Sequence, residues 1–208
     1  LLSTDNKKML VFTMKYKICQ MQENDISEVI DFHNKYLGTR DFINKKEISN
    51  RLKSNNGIFF VAKDEKRKII GIKLGYIEND TCIGRGIAVD KRYRRLGIGK
   101  ELVKNFEDRL KSFPSVKKYI FASSTQEGIP FHIKLGYKPS VLLQSNNKEL
   151  LESINLEEFT LKGKSYNKVY NVHQIYLEPD QEPDLSYLSQ IKSRCSGIDI
   201  QYLFEKDF

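Results

Sequence analysis

The sequence predicts an α/β fold: a mixed sheet with a central parallel strand pair, flanked by helices. Three observations carry this. Gly57-Ile58-Phe59-Phe60-Val61-Ala62 is a near-continuous apolar run of strand type, and the polar Asp64-Glu65-Lys66-Arg67 turns it back into a second strand from Lys68 to Glu78. A strand from Cys82 to Val89 then leads into a helix in which Ile98, Leu102, Val103, Phe106 and Leu110 recur at three- and four-residue spacing, with Lys100, Glu101, Lys104, Glu107, Asp108 and Lys111 on the other positions. After the stop at Ser112-Phe113-Pro114, Tyr119-Ile120-Phe121-Ala122 reads as a buried strand, parallel to the previous one if the helix crosses over with the usual right hand.

The remaining elements follow in order. Tyr16 to Cys19 is a first strand, after which Asn24 or Asp25 caps a helix carrying Ile26, Val29, Ile30 and Phe32 or His33 toward Tyr36, and Gly38 ends it. Lys45 to Lys53 is a second helix with Ile48 and Leu52 on one side. Gly84 and Gly86 lie inside the fourth strand, where glycine costs stability, so they mark a bulge, a close backbone approach or simple relief of crowding. Beyond the fifth strand, Val141-Leu142-Leu143 is a sixth, Lys148 to Ile154 a short acidic helix, and Val169 to Leu177 a seventh strand. Glu178 to Pro183 is a proline-bounded linker, followed by a helix with Leu185, Leu188 and Ile191 on one face and a strand from Ile198 to Phe204. The expected organisation is a domain over 15–177 and a C-terminal extension over 178–208 that packs on it or completes its sheet.

Composition limits the function classes. With 39% hydrophobic and 30% charged residues, 208 residues suit one globular domain with room for an extension. No run approaches a membrane span and the first fourteen residues lack a signal-peptide core, so no membrane partner and a cytoplasmic location are expected. The net charge of +8 would permit nucleic-acid contact, but part of the excess sits in Lys91 to Arg95, and no recognition helix or aromatic platform accompanies it. A nucleic-acid partner is therefore not expected. Cys19, Cys82 and Cys195 are far apart and lack CxxC spacing, which supports neither a disulfide framework nor a metal site.

The stretch that carries chemistry is Arg94-Arg95-Leu96-Gly97-Ile98-Gly99, between the strand Gly86-Ile87-Ala88-Val89 and the long helix. A strand, a cationic glycine turn and a helix make an anion cradle, because the first-turn N–H groups lack intrahelical acceptors and glycine lets a phosphate approach the backbone. A dinucleotide fingerprint fails here, since Leu102 stands at its third glycine and Lys117-Lys118 opens the next strand. A P-loop fails as well, with Arg94 in place of its first glycine and Glu101 in place of its Ser or Thr.

What the stretch does resemble is the acyl-CoA motif of the GNAT superfamily of N-acetyltransferases: Arg or Gln, two residues, Gly, one residue, Gly or Ala. A second segment, Gly128-Ile129-Pro130-Phe131-His132-Ile133-Lys134-Leu135-Gly136-Tyr137, is similar to the family's second signature. The resemblance implies a largely antiparallel GNAT-like sheet and acetyl-CoA as co-substrate, without a metal. It further implies transfer of the acetyl group to a primary amine by direct attack, the acceptor being a small molecule or peptide; the alternative is a non-catalytic CoA-binding module.

By the same resemblance, Ile87 and Val89 offer main-chain groups to the pantetheine arm, and the N–H near Val89 serves the developing oxyanion. Arg94, Arg95, Leu96, Gly97, Ile98, Gly99 and Lys100 hold the diphosphate. His132 stands where the family commonly places the tyrosine that protonates the departing thiolate, and an imidazole titrating near 6.5 is a competent donor. Tyr137 is a second candidate acid at a position usually given to core packing. Tyr36 to Lys46 and Ser145 to Tyr166 match the acceptor-lining segments, where Glu149, Glu152, Glu157 and Glu158 would suit a cationic amine. The extension could serve a homodimer contact.

Overall fold

Strand β2 (Gly57–Asp64) is buried from Ile58 to Ala62 because apolar side chains meet it from both sides, as its unbroken apolar sequence requires. The computed structural model describes residues 15–38, 43–123, 125–168 and 170–208, and the chain divides into two units. One comprises the described residues up to Leu74 with Gly86–Asp108; the other comprises Gly75–Arg85 with Arg109–Phe208. Strands β3 (Ile69–Glu78) and β4 (Thr81–Val89) contribute residues to each.

In the first unit β1 (Tyr16–Gln20) pairs antiparallel with β2, setting Cys19 opposite Val61. Helix α1 (Ile26–Leu37) ends at Gly38, whose φ of +79° suits glycine, and α2 (Lys45–Lys53) starts at Asn44, whose side chain accepts the Glu47 N–H. Ile26, Val29 and Phe32 of α1 and Ile48 of α2 share one core with Phe59, Val61, Ile72 and Leu74. Helix α3 (Ile98–Lys111) packs its Leu102 at Gly71 of β3, where an added Cβ would lie 3.1 Å from the leucine methyl. Its predicted stripe of Ile98, Leu102, Val103 and Phe106 is almost fully buried, each such side chain adding about 1.5–3 kcal/mol.

The second unit contains, besides its parts of β3 and β4, strands β5 (Lys118–Ser123), β6 (Lys138–Ser145), β7 (Thr160–Asn167), β8 (Val172–Glu178) and β9 (Asp199–Asp207). Its helices are α4 (Gly128–Lys134), α5 (Lys148–Glu152) and α6 (Leu185–Arg194). The strands run in the order β4-β5-β9-β6-β8-β7. β4 and β5 are parallel, from Thr81↔Lys118 to Ile83↔Ile120, and every other pairing along this series is antiparallel. One sheet face is core: Phe121, Tyr202, Phe204, Val141, Leu143, Ile175 and Leu177 are buried. The mixed sheet with its parallel pair and flanking helices is the predicted fold class.

The described residues of the C-terminal third hold one strand more than the sequence predicts. This is β7, whose Thr160–Asn167 stands exposed on both faces at a sheet edge, with Leu161 and Tyr166 as its large apolar side chains and both of them exposed, leaving no alternation to detect. The seventh predicted strand is β8; Val169, at its predicted start, lies outside the described residues. β9, within the predicted extension, is inserted between β5 and β6 with Phe204 opposite both Phe121 and Pro139.

Candidate functional site

The two glycines of β4 are there for different reasons. At Gly84 a Cβ would lie 2.5 Å from the Tyr119 hydroxyl and 2.7 Å from the Phe121 Cβ, so the need is space beside β5. Gly86 has φ of +125°, a backbone state that side chains rarely adopt, and a Cβ there would also strike Leu37 of α1. The Nε2 of His33 lies 3.9 Å from that same position. β4 therefore changes backbone conformation just before Ile87 and Val89.

After Val89 the chain turns on Asp90. This carboxylate is 6% exposed, accepts the Arg92 N–H at 3.0 Å and receives the Arg92 guanidinium at 2.9 and 3.2 Å, while the Asp90 N–H bonds Ile70 O on β3. The Arg92 fork holds the carboxyl well below the usual carboxylate range against the opposing effect of burial, with the Arg92 N–H and the Tyr36 hydroxyl adding to the shift. Tyr93 N–H closes a 3-10 turn on Asp90 O. The basic turn is thus fixed at its first residue by an N-cap.

From there Arg94 runs extended and its Nε donates to Val89 O at 3.2 Å, tying the start of the glycine turn to the end of β4. Arg95 (φ +64°) and Gly97 (φ +86°) are both left-handed, and α3 starts at Ile98. Arg95, Leu96, Gly97 and Lys100 are exposed, Gly99 is half-buried and Ile98 is buried. Nothing lies within 4 Å of a Cβ built on Gly97. Exposed cations, left-handed turns and the open N-terminus of a helix spanning Ile98–Lys111 fit an anionic diphosphate, whose oxygens can meet backbone N–H groups there. Ile87, Val89 and the stretch from Arg94 to Lys100 all belong to the first unit.

His132 belongs to the second. It lies on α4, where Pro130 occupies the first turn as predicted, and is 3% exposed. Its ring centroid is 4.4 Å from that of Phe121, 5.2 Å from Phe204 and 5.9 Å from Tyr137. Tyr137 is equally buried and packs edge-on against Tyr119 and Phe121.

The sequence profile of the Acetyltransferase (GNAT) family matches residues 24–137, more than half of the 208, and spans both the cradle and the second signature. The chain belongs to the GNAT acetyltransferase family. A comparison with curated protein sequences finds no match. Among solved structures, a GNAT superfamily phosphinothricin acetyltransferase from Sinorhizobium meliloti, in complex with acetyl-CoA, is similar at TM-score 0.56 and 12% identity, over 94% of this chain and 89% of that one. The acetyltransferase of GNAT family from Streptococcus pneumoniae gives 0.54 and 15%, over 93% and 99%. That from Staphylococcus aureus Mu50 gives 0.51 and 18%, over 60% and 85%. At these identities the likeness is one of fold.

Other site features of this GNAT chain went unassigned in the sequence. Asp90 carries an N-cap signal, an acid between an apolar strand and a basic turn, and could have been found. His33 could not: it is fully buried beside Gly86, and only the folded chain brings helix and strand together. Of the acceptor-lining segments, 39–42 lie outside the described residues, and Glu149, Glu152, Glu157 and Glu158 are exposed, with Glu158 paired to Arg194 at 2.8 Å and Glu152 to Lys148 at 3.7 Å.

Proposed function

We propose that this chain is an acetyl-CoA-dependent N-acetyltransferase that moves the acetyl group to a primary amine by direct attack on the thioester. The observation that carries the reading is the cradle: β4 ends in a backbone change at Gly86, Asp90 and Arg94 fix the turn, and Arg95, Gly97 and Lys100 stand open at the N-terminus of α3. A neutral amine attacking a thioester needs donors for the oxyanion and an acid for the leaving thiolate. The main-chain N–H near Val89 is assigned to the first, Ile87 and Val89 to the pantetheine arm, and His132 to the second. The sequence from Arg94 to Lys100 is assigned to the diphosphate.

A second reading, a CoA-binding module without turnover, is favoured by one specific observation: the position of the usual tyrosine carries His132, packed among aromatic rings.

Thermal-shift titration with acetyl-CoA, CoA and NAD tests the donor assignment. At a hundred times its dissociation constant a ligand adds about 2.7 kcal/mol. A shift with both CoA species but not NAD is expected, lost in Arg95→Glu. No shift with either CoA species would end the cradle reading, and release of CoA with an amine panel separates the enzyme from the silent module.

A further inference from the structure

Within the first unit, α1 is fastened to the sheet strand by strand. Lys63 Nζ of β2 donates to the Asp25 carboxylate just before the helix at 2.6 Å, and the Ile69 N–H of β3 donates to Glu28 Oε1 at 2.8 Å. The last turns of the helix reach β4. His33, Tyr36 and Leu37 stand three and four residues apart and so share one helix face. A Leu37 methyl fills the place where a Gly86 Cβ would stand, and Nε2 of the fully buried His33 lies 3.9 Å from it. Ala88 is buried in one core with Ile26, Val29 and Phe32 of α1. The Tyr36 ring packs on Phe32 with centroids 4.5 Å apart, and its hydroxyl donates to the Asp90 carboxylate. Gly86, Ala88 and Asp90 thus alternate onto the side of the strand that α1 covers.

The stretch between Gly86 and Asp90 needs this support. Glycine has no side chain to select among backbone states, so the φ of +125° at Gly86 must be held from outside. The Asp90 N–H bonds Ile70 O on β3, and N–H groups alternate in direction along a strand, so the Val89 N–H points away from β3. Its exact aim depends on the backbone on either side of it. Leu37 fixes that backbone at Gly86, and Tyr36 fixes it at Asp90.

Resting on the acetyltransferase reading above, we propose that Tyr36 and Leu37 are positioning residues for acetyl transfer: they clamp β4 at Asp90 and Gly86 and thereby aim the Val89 N–H at the thioester oxygen. Neither side chain has to touch the acetyl group. An oxyanion donor acts through being held in place beforehand, and losing one outright costs about 100- to 1,000-fold in rate. A donor freed to swing forfeits part of that advantage while the phosphate contacts stay as they were.

The test uses acetyl-CoA carrying carbon-13 at the acetyl carbonyl, bound to the full chain and observed by NMR. A hydrogen bond to the carbonyl oxygen moves this resonance downfield, and no acceptor is needed. Wild type should displace it downfield from its position in free acetyl-CoA. Leu37→Ala and Tyr36→Phe should each lose most of that displacement yet keep the acetyl-CoA thermal shift, because the residues assigned to the diphosphate are untouched. Leu37→Met, which refills the space beside Gly86, should restore the displacement. Leu37 is 36% exposed and Tyr36→Phe removes a single hydroxyl, so these variants should fold. A displacement as large in both variants as in wild type would overturn the inference, and so would loss of the thermal shift in both folded variants, which would make α1 a binding element instead. A wild-type complex without downfield displacement would overturn the Val89 assignment and this inference together. Absence of an acetyl-CoA thermal shift in wild type would overturn the proposed function itself.

Discussion

Replacing Gly86 by alanine probes the bend on which β4 depends. Its φ of +125° lies where a side chain is strained, a cost of about 1–3 kcal/mol, and the new methyl must also displace Leu37. Taking about 2 kcal/mol, and about 2–4 °C per kcal/mol for a chain of this size, the midpoint should fall by about 4–8 °C. Two comparisons separate the causes. Gly136→Ala, at φ +80° with nothing within 4 Å of its Cβ, pays only the backbone strain. Gly86→Ala combined with Leu37→Ala removes the steric part and leaves the strain. Differential scanning calorimetry gives the stabilities, and acetyl-CoA titration reports whether the bend also sets the backbone proposed to meet the pantetheine arm. A Gly86→Ala protein as stable as wild type, with the same acetyl-CoA affinity, would refute the reasoning.

Asp90→Asn keeps an N-cap oxygen but loses the charged fork to Arg92; because that arginine side chain is 69% exposed, the loss should be only about 1 kcal/mol by chemical denaturation. The Asp90 carboxyl titrates below its unfolded value, so its contribution is complete above about pH 4 and disappears as pH falls further, and wild type and variant should converge in acid. His132→Phe should keep the aromatic packing and fold like wild type, yet turn over at least about 100-fold more slowly if the imidazole is the acid; full turnover would dismiss that role. Deleting 178–208 should abolish soluble expression, since it removes the strand between β5 and β6 and with it the buried Tyr202 and Phe204. A soluble, cooperatively unfolding truncation would contradict this.

The sequence alone determined whatever is local. The stripe from Ile98 to Leu110 specified α3, the apolar run 58–62 specified a strand buried on both sides, and the spacing of Arg94, Gly97 and Gly99 specified a turn at the N-terminus of that helix, because each depends on residues within one or two turns of the chain. The family followed from that turn and its neighbours. Tertiary structure decided what depends on distant partners. Gly84 and Gly86 look alike in the chain, but one answers to Tyr119 on a neighbouring strand and the other to its own backbone and Leu37. His33 and His132 acquired their surroundings only by packing. The place of β9 between β5 and β6, and the contact of Arg85 with Tyr170, join residues far apart in sequence, where no periodicity can signal the pairing.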